Sequence, residues 1–223
     1  MAVQTLDQPD RVGPKRVTKS LLGYGVLAGP VYVLVTLGQA LTRDGFDPTR
    51  HQWSLLANGP GGWVQVVNFV VTGLMVVAFA VGLRRATAAR WAPGLVAVYG
   101  VSLVGAGLFR ADPALGFPAG APEGLPAEVS GHGLLHLVCG VVGFVAVAVA
   151  CFAVGRRCAA EGRRGWTVFS RVTGVGLLVG FAMAAAGQGG AAATLAFTAA
   201  VLLVWAWCAA VAVDRYRAVG PTA

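Results

Sequence analysis

Charged residues are scarce in this chain of 223 residues, at 12% of the total, against roughly 25% in an average soluble domain. Lysine occurs only as Lys15 and Lys19, and there are nine acidic residues. A hydrophobic content of 57% and a mean hydropathy of +0.71 are typical of a polytopic membrane protein. The net charge of +8 does not indicate nucleic-acid binding, because the basic residues flank apolar stretches and form no patch interleaved with aromatic residues.

Motifs that would name a reaction are also lacking. There is no His-Glu-x-x-His sequence, and the glycine patterns lie inside apolar stretches rather than after a strand, so no phosphate or dinucleotide loop is predicted. No charged residue lies near the centre of an apolar stretch, which disfavours ion-coupled transport. None of the four cysteines lies in a loop assigned to the outside, so no disulfide framework is expected. The sequence requires no cofactor.

Six long apolar stretches are present, each with the roughly 17–25 residues that cross about 30 Å of hydrocarbon as a helix. They predict an all-α, polytopic transmembrane helix bundle over residues 21–214. A disordered basic tail is expected at 1–20 and a second short tail at 215–223. The predicted spans are about 21–41, 63–83, 92–109, 133–155, 168–186 and 191–213.

The basic residues predict the orientation of these spans. Fourteen of the seventeen fall in the two tails and in the second and fourth connections, whereas Arg43, Arg50 and Arg110 fall on the other side. The positive-inside rule then places both termini in the cytoplasm. Arginine-rich, alanine- and glycine-rich composition indicates a bacterial protein, hence a multi-pass protein of the plasma (inner) membrane. The basic face could also bind anionic lipid or a partner, but a topology signal alone explains it.

Polar residues collect at the outer ends of the spans, whereas the cytoplasmic halves are almost purely apolar. Ionisable groups at membrane depth usually face a bundle interior or a cavity, so this layer predicts a polar pocket that opens outward. Membrane lipids are its neighbours, and a lipid or small amphiphile is the expected ligand. The polar layer comprises Gln39, Gln65, Asn68, Arg110, Asp112, His132, His136 and Gln188.

The first outer loop, residues 43–62, adds Asp47, His51 and Ser54 to the predicted pocket. Its Trp53–Leu56 segment is apolar enough to form a short re-entrant or lid helix. The second outer loop, residues 110–131, is rich in proline, glycine and alanine and predicts a flexible cover.

Three motifs of these regions resemble a known family. They are Asp47-Pro48 with His51 and Ser54-Leu55-Leu56, then Phe109-Arg110-Ala111-Asp112-Pro113, and finally His132 with His136. Together they resemble domain-of-unknown-function family 998, a group of small prokaryotic six-span membrane proteins. The resemblance covers the chain after the N-terminal tail. It implies the fold and the membrane location, and it implies no activity.

Chemistry at the outer face has several interpretations. His132 and His136 are four residues apart on one helical face, a spacing that can hold a metal with Asp112 or His51, but hydrogen bonds to loop carbonyls and acids at the membrane surface explain them without a metal. A hydrolase would use Ser54 or a metal-bound water as nucleophile. An isomerase or cyclase would need a carboxylic acid in an apolar pocket, but Arg110 beside Asp112 favours an ion pair.

Two hypotheses therefore stand side by side. The first is a membrane protein whose outward pocket binds a lipid or small amphiphile. The second is a membrane-embedded enzyme, a hydrolase or an isomerase or cyclase, with or without a metal, whose candidate catalytic residues are His51, Asp112, His132 and His136.

Overall fold

Six α-helices account for most of the computed structural model, which describes residues 13–88, 91–187 and 189–220. Each of the six is long and apolar enough to cross a membrane, and no β-strand occurs in the described ranges. The predicted all-α, six-span fold is thus confirmed. The helices are α1 (Pro14–Thr42), α2 (Gly62–Ala86), α3 (Trp91–Leu108), α4 (Gly131–Ala160), α5 (Arg164–Ala186) and α6 (Ala191–Ala218).

The first helix begins earlier than predicted. Residues 14–20, assigned above to a disordered tail, are helical. Pro14 suits a first helical position, where its missing N–H is not needed. Contacts then hold this turn in place: Thr18 accepts a hydrogen bond from Arg85 of α2 at 3.0 Å, and the Lys19 ammonium lies 4.7 Å from the centre of the Tyr216 ring of α6. The last helix likewise continues into the predicted C-terminal tail, to Ala218.

The helices form a closed ring. Each packs against its neighbours in sequence, and α6 packs against α1. Aromatic side chains fill the middle of the ring: Tyr32 of α1 lies 5.8 Å from Phe69 of α2 and 5.2 Å from Trp205 of α6, measured between ring centres. Tyr99 of α3 lies 6.0 Å from Trp205. The α1–α2, α3–α4 and α5–α6 connections lie at one end of the ring, which we call the loop end. The opposite, arginine-rich end, with the α2–α3 and α4–α5 connections, is called the basic end.

Close approach of α2 and α3 depends on two facing glycines. A Cβ atom added to Gly73 would lie 2.7 Å from the Gly100 carbonyl oxygen, and one added to Gly100 would lie 2.8 Å from the Gly73 oxygen. Backbones this close leave no room for a side chain, which is the usual role of small residues between membrane helices.

The loop end is covered by the first loop (43–61) and the second loop (109–130). The predicted short helix is present in the first loop as a 3-10 helix, Trp53–Ala57. Its Leu56 and Ala57 are fully buried, and the Trp53 ring lies 5.9 Å from that of Tyr32. The helix therefore sits inside the mouth of the ring.

Candidate functional site

A cavity of about 310 Å³ occupies the ring beneath the two loops. All six helices contribute to its lining, which is mostly apolar. The Phe144 ring lies 5.1 Å from Phe181 and 5.4 Å from Phe197, so α4, α5 and α6 form a continuous aromatic wall. The aromatic residues of the lining are Tyr32, Trp53, Phe69, Tyr99, Phe144, Phe181 and Phe197.

A few polar side chains interrupt this apolar lining. They include Ser54 from the 3-10 helix, Ser102 from α3, Asp112 from the second loop and His136 from α4. The Ser102 hydroxyl makes no hydrogen bond to any described residue, so it is free to bind a molecule in the cavity. Ligand sites commonly combine apolar walls with a small number of polar groups.

His136 is held in one orientation by the end of α3. Its Nδ1 lies 3.0 Å from the Ala106 oxygen and 2.8 Å from the Phe109 oxygen. These carbonyls belong to a helix end, where intrahelical partners are missing. Because both acceptors are carbonyl oxygens, the hydrogen must be on Nδ1. The second nitrogen, Nε2, has no partner among the described residues, and it is the part of the ring left for a ligand.

Asp112 is bound to the first turn of α4. Its carboxylate accepts hydrogen bonds from the Ser130 backbone N–H, at 2.9 Å, and from the Ser130 hydroxyl. Ser130 in turn caps the helix by accepting from the Gly133 N–H at 3.0 Å, and any Cβ on Gly133 would collide with the Asp112 carboxylate. A carboxylate is favourable beside a helix N-terminus. The role of Asp112 is therefore chiefly structural, with one side towards the cavity.

His51 lies in the interface between the loops instead of the cavity. It is 3% exposed. The Asp47 backbone N–H donates to Nδ1 at 2.9 Å, so the ring hydrogen is on Nε2, which donates to the Leu115 oxygen at 3.0 Å. Both nitrogens are in use. The hypothesis of His51 as a base or metal ligand is not supported, because either role would break one of these bonds.

Arg43 and Arg50 make further contacts within and between the loops. Arg43 donates to the Leu56 and Asn58 oxygens of its own loop, and its guanidinium lies 5.0 Å from the centre of the Phe117 ring of the second loop. Arg50 donates to the Glu123 oxygen at 2.8 Å. The second loop thus forms the predicted cover, but it is tied to the first loop by hydrogen bonds and ring contacts.

Asp47 itself is exposed and does not line the cavity. Its carboxylate accepts from the Thr49 hydroxyl at 2.7 Å and the Thr49 N–H at 2.8 Å. These hydrogen bonds lower the pKa of Asp47 below its usual value. Asp47 is therefore an ionised turn residue that positions the loop around His51.

The amides predicted to line the pocket instead join α1 to α2. Gln39 donates to the Gln65 oxygen at 2.7 Å, and Asn68 donates to the Thr36 hydroxyl at 3.2 Å. Gln65 is fully buried, and none of these side chains lines the cavity. The expectation is corrected for Gln39, Gln65 and Asn68: polar groups in an apolar bundle bind one another when they can.

Three predicted residues remain. His132 is exposed, with its ring 5.8 Å from Phe109. Arg110 is also exposed, and the expected ion pair with Asp112 is not present among the described residues. Gln188 lies outside the described residues. Within the described ranges no group of three His, Cys, Asp or Glu side chains could hold a metal ion, so the metal hypothesis has no ligand set there.

Sequence reasoning missed two cavity residues, Tyr99 and Ser102. They are three apart and therefore on one face of α3, and a hydroxyl pair inside an apolar span was the available signal. The α4 and α6 residues that face them across the cavity could not be predicted from the sequence, because they depend on how the helices pack in the closed ring.

The comparisons with known proteins agree with the fold. Neither a curated protein nor a solved structure matches this chain. One family model does match, over residues 26–214. The chain therefore belongs to the family described as "Protein of unknown function (DUF998)".

Proposed function

We propose that the loop-end cavity binds a lipid or small amphiphile and that it faces the outer side of a bacterial plasma membrane. The observation that carries this proposal is the composition of the cavity: apolar, aromatic walls with the free Nε2 of His136 and the Ser102 hydroxyl. Its volume of about 310 Å³ reaches the lower end of the range of small-molecule sites, roughly 300–1,000 Å³. An apolar chain fits the walls, and one polar group of the ligand can bind His136.

A photoreactive fatty acid carrying a diazirine is a suitable probe for this cavity. The Gly140→Leu variant should block it, because Gly140 lines the cavity and a Cβ there meets only Phe144, at 4.0 Å. Gly176→Leu is the matched control: a Cβ at Gly176 meets nothing within 4 Å, and the residue does not line the cavity. We expect crosslinked peptides from α3 and α4 in the unmodified protein and in G176L, and their loss in G140L.

Equal crosslinking of G140L and the unmodified protein would overturn the proposal, as would crosslinks confined to the lipid-facing surface of the helices. The His136→Asn variant adds a test of the polar contact. The asparagine amide can still donate to the α3 carbonyls, but the acceptor equivalent to Nε2 is removed, so we expect weaker labelling with an unchanged unfolding temperature.

The enzyme hypothesis keeps one supporting observation. A histidine whose Nδ1 hydrogen is fixed by carbonyls presents Nε2 as an acceptor, the arrangement that general base catalysis uses. The same variant distinguishes the two functions. A catalyst would convert the bound amphiphile to a product, detectable by mass spectrometry, and H136N would stop that conversion. A binding protein would leave the amphiphile chemically unchanged, both in the unmodified protein and in H136N.

A further inference from the structure

A second cavity, of about 200 Å³, opens at the basic end of the ring. Its walls come from α2 to α6 and are largely apolar, with Trp91, Val96, Trp166 and Trp207 among them. Trp91 is 81% exposed, so the rim of the cavity lies at the surface of the bundle. Tryptophan is enriched where membrane helices meet the headgroup layer. Nothing in the proposed function of the loop end involves this cavity.

The lining combines these apolar walls with an excess of positive charge. Four arginines line the cavity beside only two carboxylates, Glu161 and Asp214, which leaves an excess of two positive charges. An anionic group would neutralise this excess. The four arginines are Arg156, Arg157, Arg163 and Arg215.

Both carboxylates hold arginine side chains in place. Asp214 pairs with Arg163 and with Arg215, and Glu161 accepts from Arg157 Nε at 2.8 Å. Each guanidinium group keeps further N–H donors after these bonds. Because these bonds fix the guanidinium groups, their remaining N–H donors are already oriented, and arginine N–H groups can bind two phosphate oxygens at once.

Arg163 also contacts the apolar wall. Its guanidinium carbon lies 5.0 Å from the centre of the Trp166 ring. The Trp166 indole orients the Arg163 guanidinium, so a positive charge and an aromatic surface lie side by side in the cavity wall. A molecule that occupies this place needs an anionic part and an apolar part.

Arg156 differs from the other three arginines. It is exposed, and it forms no ion pair or hydrogen bond within the described residues. No described carboxylate neutralises it, so it supplies positive charge directly to the cavity mouth. A topology signal needs only charge near a span end, whereas here the charges line a cavity.

We propose that the basic-end cavity binds the phosphate headgroup of an anionic phospholipid, whose upper acyl chains contact the tryptophan-lined wall. The volume of about 200 Å³ suits a headgroup rather than a whole lipid. The apolar walls and the exposed Trp91 favour a lipid over a free phosphate ion, which would gain nothing from them.

The test uses the full chain in nanodiscs of zwitterionic phosphatidylcholine, with phosphatidylglycerol added and bound lipid counted by native mass spectrometry. Arg156→Gln removes the unpaired charge and breaks no described bond. Arg84→Gln is the matched control, because Arg84 is exposed at the same end but does not line the cavity. We expect R156Q to bind phosphatidylglycerol roughly tenfold more weakly, because a charged hydrogen bond from Arg156 to the lipid phosphate is lost, and R84Q to bind it normally.

Three results would overturn the proposal. One is an equal loss in R84Q, which would indicate general surface attraction. Another is no preference for phosphatidylglycerol over phosphatidylcholine. The third is inorganic phosphate competing as well as the lipid, which would identify the ligand as a free anion. Should R156Q fail to fold, Arg156→Lys is the second variant, because it keeps the positive charge but lacks the paired N–H donors of a guanidinium group. Unchanged binding in R156K would count against a contact in which Arg156 binds two phosphate oxygens.

Discussion

A buried histidine near a membrane surface suggests chemistry, but its hydrogen bonds decide whether chemistry is available. Both nitrogens of His51 are used, Nδ1 by a hydrogen bond within the first loop and Nε2 by one to the second loop, whereas Nε2 of His136 has no partner among the described residues. The two histidines differ in how many ring nitrogens are free within the described part of the chain: none in His51 and one in His136. That number depends on backbone groups contributed by other parts of the chain. The sequence could mark both histidines as candidates and could not rank them.

His51→Ala should therefore destabilise the loop cover. The change leaves the Leu115 oxygen without its buried donor, which costs about 1–3 kcal/mol. We expect faster proteolysis in the loops and an unfolding temperature several degrees lower in detergent. His132→Ala is the control, since His132 is exposed and accepts or donates no described hydrogen bond. Equal sensitivity of the two variants would contradict the assignment of His51 to the loop interface.

Helices α3 and α4 cap each other at the loop end. His136 of α4 donates to carbonyls at the end of α3, and Asp112, four residues beyond α3, accepts from the start of α4. Helix ends carry unpaired backbone groups of opposite polarity, so a donor on one side and an acceptor on the other satisfy both. These two residues of the proposed site are therefore positioned by secondary structure.

Packing between α2 and α3 can be tested through its two facing glycines. Gly100→Ala would place Cβ 2.8 Å from the Gly73 oxygen, and the helices must separate to accept it. We expect a loss of about 1–3 kcal/mol of stability, the usual cost of overpacking, measured by unfolding in mixed micelles.

Gly94→Ala, in the same helix, is the matched control for that substitution. A Cβ at Gly94 meets nothing within 4 Å, and alanine favours a helix over glycine by about 1 kcal/mol. G94A should therefore be neutral or slightly more stable than the unmodified protein. A stability loss in G94A as large as in G100A would show that the glycine–glycine contact is not the cause.

At the scale of the whole molecule, the ring has a cavity at each end and an aromatic layer between them. Tyr99 lines the loop-end cavity, and Val96, one turn away on α3, lines the basic-end cavity. Tyr99 and Trp205 pack against each other in that layer. The two proposed sites are thus separate, and a ligand in one does not reach the other.

Orientation of the ring can be measured with single cysteines and a thiol reagent that does not cross membranes. We expect Glu128→Cys, in the second loop, to be labelled in intact cells, and Arg217→Cys, at the basic end, only after the membrane is opened. The four native cysteines all lie in helices, so the unmodified protein gives the background. Labelling of R217C but not E128C in intact cells would invert the predicted topology.

The sequence by itself determined the number of spans, the separation of basic from polar ends and the short helix of the first loop. These follow from hydrophobic length and local composition, which act on neighbouring residues. Only the tertiary structure decided that Gln39, Gln65 and Asn68 bind one another between α1 and α2, that Asp112 and His136 meet at the ends of α3 and α4, and that two cavities remain. Those outcomes depend on which helix faces come together when the ring closes, and residues far apart in sequence set that geometry jointly.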